Sequence, residues 1–288
     1  MITADVVKKL RDVTGAGMMD CKRALTEAGG DMEKAVDFLR KAGIAKAEKK
    51  SGRATKEGKI ACLVSGNKAA MIEVLCETDF VAKNEKFNTY LDGVLTRTIE
   101  VAGDGCVSEK VQDAEKDGLV AMVATIGENM QIRRAARWIS NDKIATYIHM
   151  MGRIGVMVEV AGESDEEFLK DICMHIAAFN PAYIDSSAIP AETIAHEKEI
   201  AAAQLAGKPA NMIEKIVVGK INKWFTEVCL VAQPWIKDTK PRCPSSSRTS
   251  RSSVSCAGKS AKNCKHSSGL TEKRWIPRRS ERFGRLFS

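Results

Sequence analysis

Thr78-Asp79-Phe80-Val81 places a carboxylate beside a bulky ring where one hydrophobic period gives way to another. Fixed on a rigid corner, such a pair can be presented to a partner with little rotamer freedom left to lose on binding. The flanking residues supply the corner. Upstream, Ala70, Ile72, Val74 and Cys76 alternate with Met71, Glu73 and Leu75, the period of two that marks a strand ending near Glu77. Downstream, Phe87, Leu91, Val94, Leu95 and Thr98 recur at helical spacing, with Asn84 placed to cap that helix. A second reading fits the same residues: Phe80 covers the sheet edge as core, and Asp79 serves only as a helix cap.

Other reactive residues do not assemble into catalytic patterns. The chain lacks the phosphate-cradling G-x-x-x-x-G-K-[ST], a Ser/His/Asp set with a recognisable elbow, and paired acids on one face, so it reads as a binding protein rather than an enzyme. The nine Cys contain no C-x-x-C pair and the four His are scattered, so neither a metal nor a cofactor is expected. Cys21, Cys62, Cys76, Cys173 and Cys229 fall within apolar patterns, as small buried hydrophobes of a reducing compartment do. His175 precedes Ile176 on a helix with an apolar face and is expected in the core. His149 ends a strand before Met150-Met151-Gly152-Arg153 and is a candidate partner contact. Met18 and Met19 are adjacent, about 100° apart on a helix, and cannot both lie on one core stripe. Either one of them faces a partner, or both are partly buried at the helix start.

The net charge of +8 is unevenly distributed. Residues 241–288 hold 12 Lys+Arg and 2 Asp+Glu, which leaves 33 and 35 for residues 1–240. The basic character therefore belongs to the tail, and residues 1–240 carry no electrostatic footprint for nucleic acid. No apolar run approaches the roughly 18 residues a membrane span needs. Met1 to Leu10 reads as a helix without the apolar core of a signal peptide, which implies a cytoplasmic protein.

Patterning divides the chain into successive modules. Residues 1–45 read as three short amphipathic helices: Val6, Leu10 and Val13 on the first, Met18, Cys21, Leu25 and Ala28 on the second, and Ala35, Val36 and Leu39 on the third after Asp31. Their glycine turns resemble the ubiquitin-associated type of fold, usually a binding module. Residues 46–59 are dense in charge and read as a linker. Residues 60–188 read as an α+β core of two sheet-plus-helix subdomains. The first has strands at 60–64 and 69–76 and helices at 85–101 and 111–125; the second has strands at 131–138, 144–149 and 153–160 and a helix at 165–179. Residues 189–226 read as an antiparallel helical hairpin in which Ile194, Ile200 and Leu205 face Ile213, Ile216, Val217 and Phe225. Residues 227–240 return to the core.

Several strings occur in a telling order: Thr14-Gly15-Ala16-Gly17-Met18-Met19-Asp20-Cys21-Lys22, the Thr78 corner, Ile126-Gly127-Glu128-Asn129-Met130-Gln131-Ile132-Arg133-Arg134, Met174-His175-Ile176-Ala177-Ala178 and Gln233-Pro234-Trp235. Over about residues 1–240 the chain closely resembles bacterial translation elongation factor Ts. The resemblance implies a guanine nucleotide exchange factor for the GTPase elongation factor Tu. In that family the corner matched here by Thr78, Asp79, Phe80 and Val81 intrudes beside the magnesium-binding part of the GTPase and dislodges the ion. It also implies that the hairpin protrudes as a coiled-coil module, used in some members for self-association.

After Asp238 the family pattern is no longer readable. Residues 241–288 contain 12 Ser and three Cys, a composition that favours disorder and fits a change of reading frame near residue 239. A genuine Ser/Arg-rich tail that binds RNA is the rival reading, and an adaptor built on the three-helix module is another.

Overall fold

The structure, a computed structural model, describes residues 2–162, 164–205, 209–237 and 254–256. It is mixed helix and sheet, an α+β protein with helices first and sheet-plus-helix units after them. The described residues divide into two compact units. One holds residues 2–63 and 70–138, the other residues 64–69, 139–237 and 254–256.

The first unit opens with α1 (Ala4–Thr14), α2 (Met18–Glu27) and α3 (Met32–Lys50). Gly15 stops α1 by turning left-handed (φ 68°), a conformation that strains any residue with a Cβ. Asp31 starts α3, its carboxylate accepting from the N–H groups of Glu33 (3.0 Å) and Lys34 (3.1 Å). Val7, Leu10, Cys21, Ala24, Leu25 and Ala35 form the shared core. Val13, expected on the buried stripe, is 74% exposed, because it lies in the last turn of α1, where Gly15 already diverts the chain toward α2.

α3 also overruns the expected linker, leaving only residues 51–56 between it and β1 (Glu57–Ser65). Its second half is rich in Ala, Lys and Glu, all strong helix formers, and it is packed as well as helical. Ala47 lies against the core of the first sheet. Gly43 faces Ala124 so closely that a Cβ at residue 43 would stand 3.3 Å from the Ala124 Cβ.

β1 pairs with β2 (Lys68–Cys76), and α4 (Asp79–Ala82) and α5 (Glu85–Glu100) follow. Next come β3 (Gly105–Cys106), α6 (Ser108–Ala114), α7 (Lys116–Ile126) and β4 (Met130–Ile139). The sheet order is β1-β2-β4-β3, with Cys106 opposite Ala136 in antiparallel register, so the strand expected over 131–138 in the second subdomain belongs to the first sheet, where it hydrogen-bonds to β2. Its core joins Ile72, Val74, Val81, Phe87, Leu91, Val94, Met130 and Ile132. The helix expected over 111–125 is two helices. Glu115 leaves helical geometry (φ −96°, ψ 2°) at the junction, and its buried carboxylate is paired with Arg97 of α5 at 2.8 Å. Between β2 and β4, Glu73 and Arg134 form a buried ion pair, with Arg133 also reaching Glu73 at 3.3 Å.

The second unit contains β5 (Lys143–His149), β6 (Ile154–Val160) and α8 (Glu166–Phe179). β5 and β6 pair antiparallel, Lys143 opposite Val160 and His149 opposite Ile154. Asp165 caps α8 by accepting from the Phe168 N–H at 2.6 Å. Val156, Val158, Val160, Leu169, Ile172, Cys173, Ile176, Leu230 and Trp235 form the core. α9 (Ala191–Ala203) and α10 (Ala210–Val228) pack on each other. Their buried residues include Ala201, Leu205 and Ile221, whereas Ile200, expected at this contact, is 41% exposed. Ala201 and Leu205 are four residues apart and share a face, which turns Ile200 about 100° away.

β7 (Val254–Cys256) lies on the far side of β6, Val158 opposite Cys256 and Val160 opposite Val254. The rest of the expected tail, residues 241–253 and 257–288, lies outside the described residues. A strand of three residues is too short for its alternation to be read, so only pairing with β6 reveals it. Among the described residues no helix is long and apolar enough to cross a membrane.

Candidate partner-binding corner

The strand β2 ends at Cys76, and the chain turns through Glu77 and Thr78 into the single turn α4 before Asn84 starts α5. Each step has a local cause. The Thr78 hydroxyl accepts from the Val81 N–H at 3.4 Å, and the Asn84 side chain accepts from the Lys86 N–H at 2.9 Å. Thr78, not Asp79, is therefore the cap. Asp79 is the first residue of α4 and pairs with Lys83, four residues on, at 2.7 Å. Val81 is buried in the sheet core, which anchors the turn from below.

Phe80 is 80% exposed. The alternative in which its ring covers the sheet edge is thereby overturned: Val81 takes the inward position and α4 turns its neighbour outward. A phenyl ring held in water by a capped turn is the kind of feature that a partner buries.

The corner is clamped from behind by residues that patterning did not single out for a role. One Glu128 carboxylate oxygen accepts from the N–H groups of Glu77 (3.1 Å) and Thr78 (3.0 Å), and the other accepts from the Thr78 hydroxyl (2.7 Å). Asn129 donates its N–H to the Glu77 carboxylate at 2.5 Å and its side-chain amide to the carbonyls of Ser51 (3.3 Å) and Arg53 (2.8 Å). Arg53 approaches the same Glu77 carboxylate at 3.5 Å. The only trace of this in the sequence is the Gly127-Glu128-Asn129 string between a helical and a strand pattern. Gly127 ends α7 in the left-handed region (φ 92°), and its carbonyl accepts from the Lys50 ammonium at 2.6 Å.

Electrostatics keep the Cys76 thiol inert. Burial first, then the Glu128 charge, push its pKa up to about 12, and it donates to the Thr78 carbonyl at 3.1 Å. Lys50 is held below the ordinary lysine value, chiefly by burial and then by Arg53 and Lys46.

The other candidates lie elsewhere. Met18 and Met19 open α2 with 43% and 74% of their surfaces exposed, so Met19 stands clear of the core and Met18 is partly covered. His149 ends β5 in the second unit, where its Nδ1 meets the Tyr147 hydroxyl at 3.0 Å and the two rings stack at 5.8 Å. Met150 and Met151 beyond it both take positive φ (50° and 57°) and are 58% and 76% exposed. His175 is fully buried between Phe179 (4.7 Å) and Trp235 (5.2 Å), with Nε2 against the Gln233 side-chain oxygen at 3.1 Å. It is core, as its place on α8 suggests. Among the described residues no group of three or more His, Cys, Asp or Glu could hold a metal ion.

Comparison with known proteins adds to this geometry. The family model described as "Elongation factor TS" matches residues 77–254. The chain belongs to the elongation factor Ts family. It is 50% identical over 251 residues to the elongation factor Ts of Methylococcus capsulatus, covering 82% of this chain and 84% of that protein. It is 45% identical to those of Clostridium botulinum strain Alaska E43 and Xanthomonas campestris pv. campestris strain B100, each comparison covering 83% of this chain and 84% of the relative. Membership places the chain in translation elongation and protein biosynthesis. The family match begins at Glu77, the first residue of the corner, and ends at Val254, the first residue of β7. The relatives cover 82–83% of this chain, in keeping with a resemblance over about residues 1–240.

Proposed function

We propose that this chain is a cytoplasmic guanine nucleotide exchange factor that binds elongation factor Tu and speeds GDP release by disturbing bound magnesium. The observation that carries this reading is the 80% exposed Phe80 on a clamped corner, in a chain of the elongation factor Ts family. Bound Mg²⁺ bridges phosphate and protein oxygens, so displacing the partner's groups around it weakens GDP without a covalent step. In this reading Phe80 is the wedge and Asp79 competes for polar groups at the shifted site. Thr78 caps the turn and Val81 anchors it. Met18, Met19 and His149 add contact area away from the wedge.

Linkage makes the effect reciprocal: whatever factor lowers nucleotide affinity also lowers the factor's affinity for its partner once nucleotide enters. A thousandfold effect needs roughly 4 kcal/mol of coupling, more than one ring can supply, so the reading requires a broad interface as well as the corner.

The test is the rate of labelled GDP release from elongation factor Tu with saturating protein. Asp79→Ala combined with Phe80→Ala should retain partner binding and slow release by about tenfold or more, the loss expected when an interaction made in the transition state is removed. Unchanged release in that double variant would remove the corner from the mechanism. Failure of the unsubstituted, folded chain to accelerate release would reject the exchange activity itself.

A further inference from the structure

We propose that Glu128 is the positioning residue of the exchange corner: its carboxylate sets the peptide planes at Glu77 and Thr78 and thereby aims Phe80. The proposal rests on the exchange reading above and deepens it. An 80% exposed ring has little packing of its own to hold it, so its direction must be inherited from the backbone of residues 77–82. Two constraints act on that backbone. Val81 is sunk in the sheet core on one side, and on the other three donors, the Glu77 N–H, the Thr78 N–H and the Thr78 hydroxyl, converge on the Glu128 carboxylate at 2.7–3.1 Å. Two neighbouring amide N–H groups sharing one oxygen leave the peptide between them little freedom to rotate, and hydrogen bonds to a charged acceptor are stronger than neutral ones.

The clamp is itself well founded. Glu128 stands between the left-handed end of α7 at Gly127 and the first residue of β4, a strand hydrogen-bonded to β2 in the same sheet. Next to it, Asn129 ties the Glu77 side chain and the carbonyls of Ser51 and Arg53, so that the reference frame for the corner includes the end of α3. The Thr78 hydroxyl does double duty, donating to Glu128 while accepting from the Val81 N–H. Removing the Glu128 carboxylate therefore loosens the cap of α4 as well as the peptide before it. The expected defect is in aim and not in contact, since Glu128 works from behind the corner and Phe80 would still be present to touch the partner.

The experiment uses the full chain and labelled GDP bound to elongation factor Tu. Release rates are measured at saturating factor, with the half-saturating concentration recorded separately. Glu128→Ala should slow saturated release by about tenfold while moving the half-saturating concentration less than about threefold, because misplacement by an ångström taxes the reacting geometry more than binding. Glu128→Gln should recover most of the rate: its amide oxygen can still accept from both N–H groups, and its amino group can donate to the Thr78 hydroxyl. In a Phe80→Ala background, Glu128→Ala should change the rate less than about twofold, since the residue it aims is gone. Equal loss in both backgrounds would show a general structural role and overturn the proposal. So would full activity of Glu128→Ala where Phe80→Ala is impaired, a result that leaves the exchange reading intact. Failure of the unsubstituted chain to accelerate release would reject both. Should Glu128→Ala not fold, Thr78→Val removes one donor of the same clamp, and the same non-additivity with Phe80→Ala is expected.

Discussion

The two sheet-plus-helix units reach stability by different means. The first has four strands and sets polar groups inside: Glu73 with Arg134 between β2 and β4, Glu115 with Arg97, and the Glu128 clamp behind the corner. The second has three strands, the last only three residues long, and an aromatic stack of Phe179, His175 and Trp235. Buried polar pairs tolerate few alternative partners and so define one geometry, as a unit that must aim an exposed ring requires. The stack carries one buried polar contact, His175 with Gln233 at 3.1 Å, and otherwise stabilises through the apolar area of its rings.

The sharpest way to break this comparison is Arg134→Ala. Glu73 would lose its buried partner and keep Arg133 at 3.3 Å, so the loss should lie at or below the lower end of the about 3–5 kcal/mol that breaking a buried pair costs. Thermal unfolding should fall steeply, with amide hydrogen exchange rising in Met71 to Val74 and Gln131 to Arg134 and unaltered in α8. An equal rise in α8 would mean that the two units are not energetically separate.

Acid should act on the other unit. Burial, opposed in part by the Gln233 hydrogen bond, holds His175 below the ordinary histidine value. The unfolded chain therefore takes up its proton near pH 6.5, while the folded chain resists until the pH is lower. Stability from this site is complete above pH 6.5 and is lost as pH falls through that value toward the lower folded pKa. A pH series of exchange protection in α8 reads it, and His175→Gln should flatten the curve.

A smaller effect is expected from ending the chain after residue 240, which removes β7. Losing a few strand hydrogen bonds at about 1 kcal/mol each should cost roughly 1–3 kcal/mol. Exchange at Val158 to Val160 should rise and the tendency to aggregate through the bared β6 edge should increase. The corner should be indifferent. Least of all, Phe80→Ala should alter stability by less than about 0.5 kcal/mol, since an exposed ring has little buried area to lose. A larger loss in calorimetry would mean that Phe80 belongs to the core after all.

Much of this was legible in residue order. The alternation from Ala70 to Cys76 gave β2 its end, and Asn84, Asp31 and Asp165 marked helix starts, because period and capping are local properties. The Thr78 to Val81 string pointed to the corner, yet patterning left Phe80 undecided between core and surface. Other features stayed hidden for identifiable reasons. The run 46–50 looks like a linker because its charges face water, and only contact with the sheet core at Ala47 shows it as helix with a buried side. A charged residue in the middle of an apolar pattern gives no sign that Glu115 will break a helix to meet Arg97.

By itself, the sequence determined the kinds of element, most of their boundaries, the α+β class and the family. Only the tertiary structure decided which neighbour of a pair turns inward, and what holds the corner still. Glu128 is 50 residues from Thr78 along the chain, and Asn129 is 76 from Arg53. Hydrogen bonds across such separations leave no periodic trace in the sequence, because they depend on where folded strands and helix ends come to rest against one another.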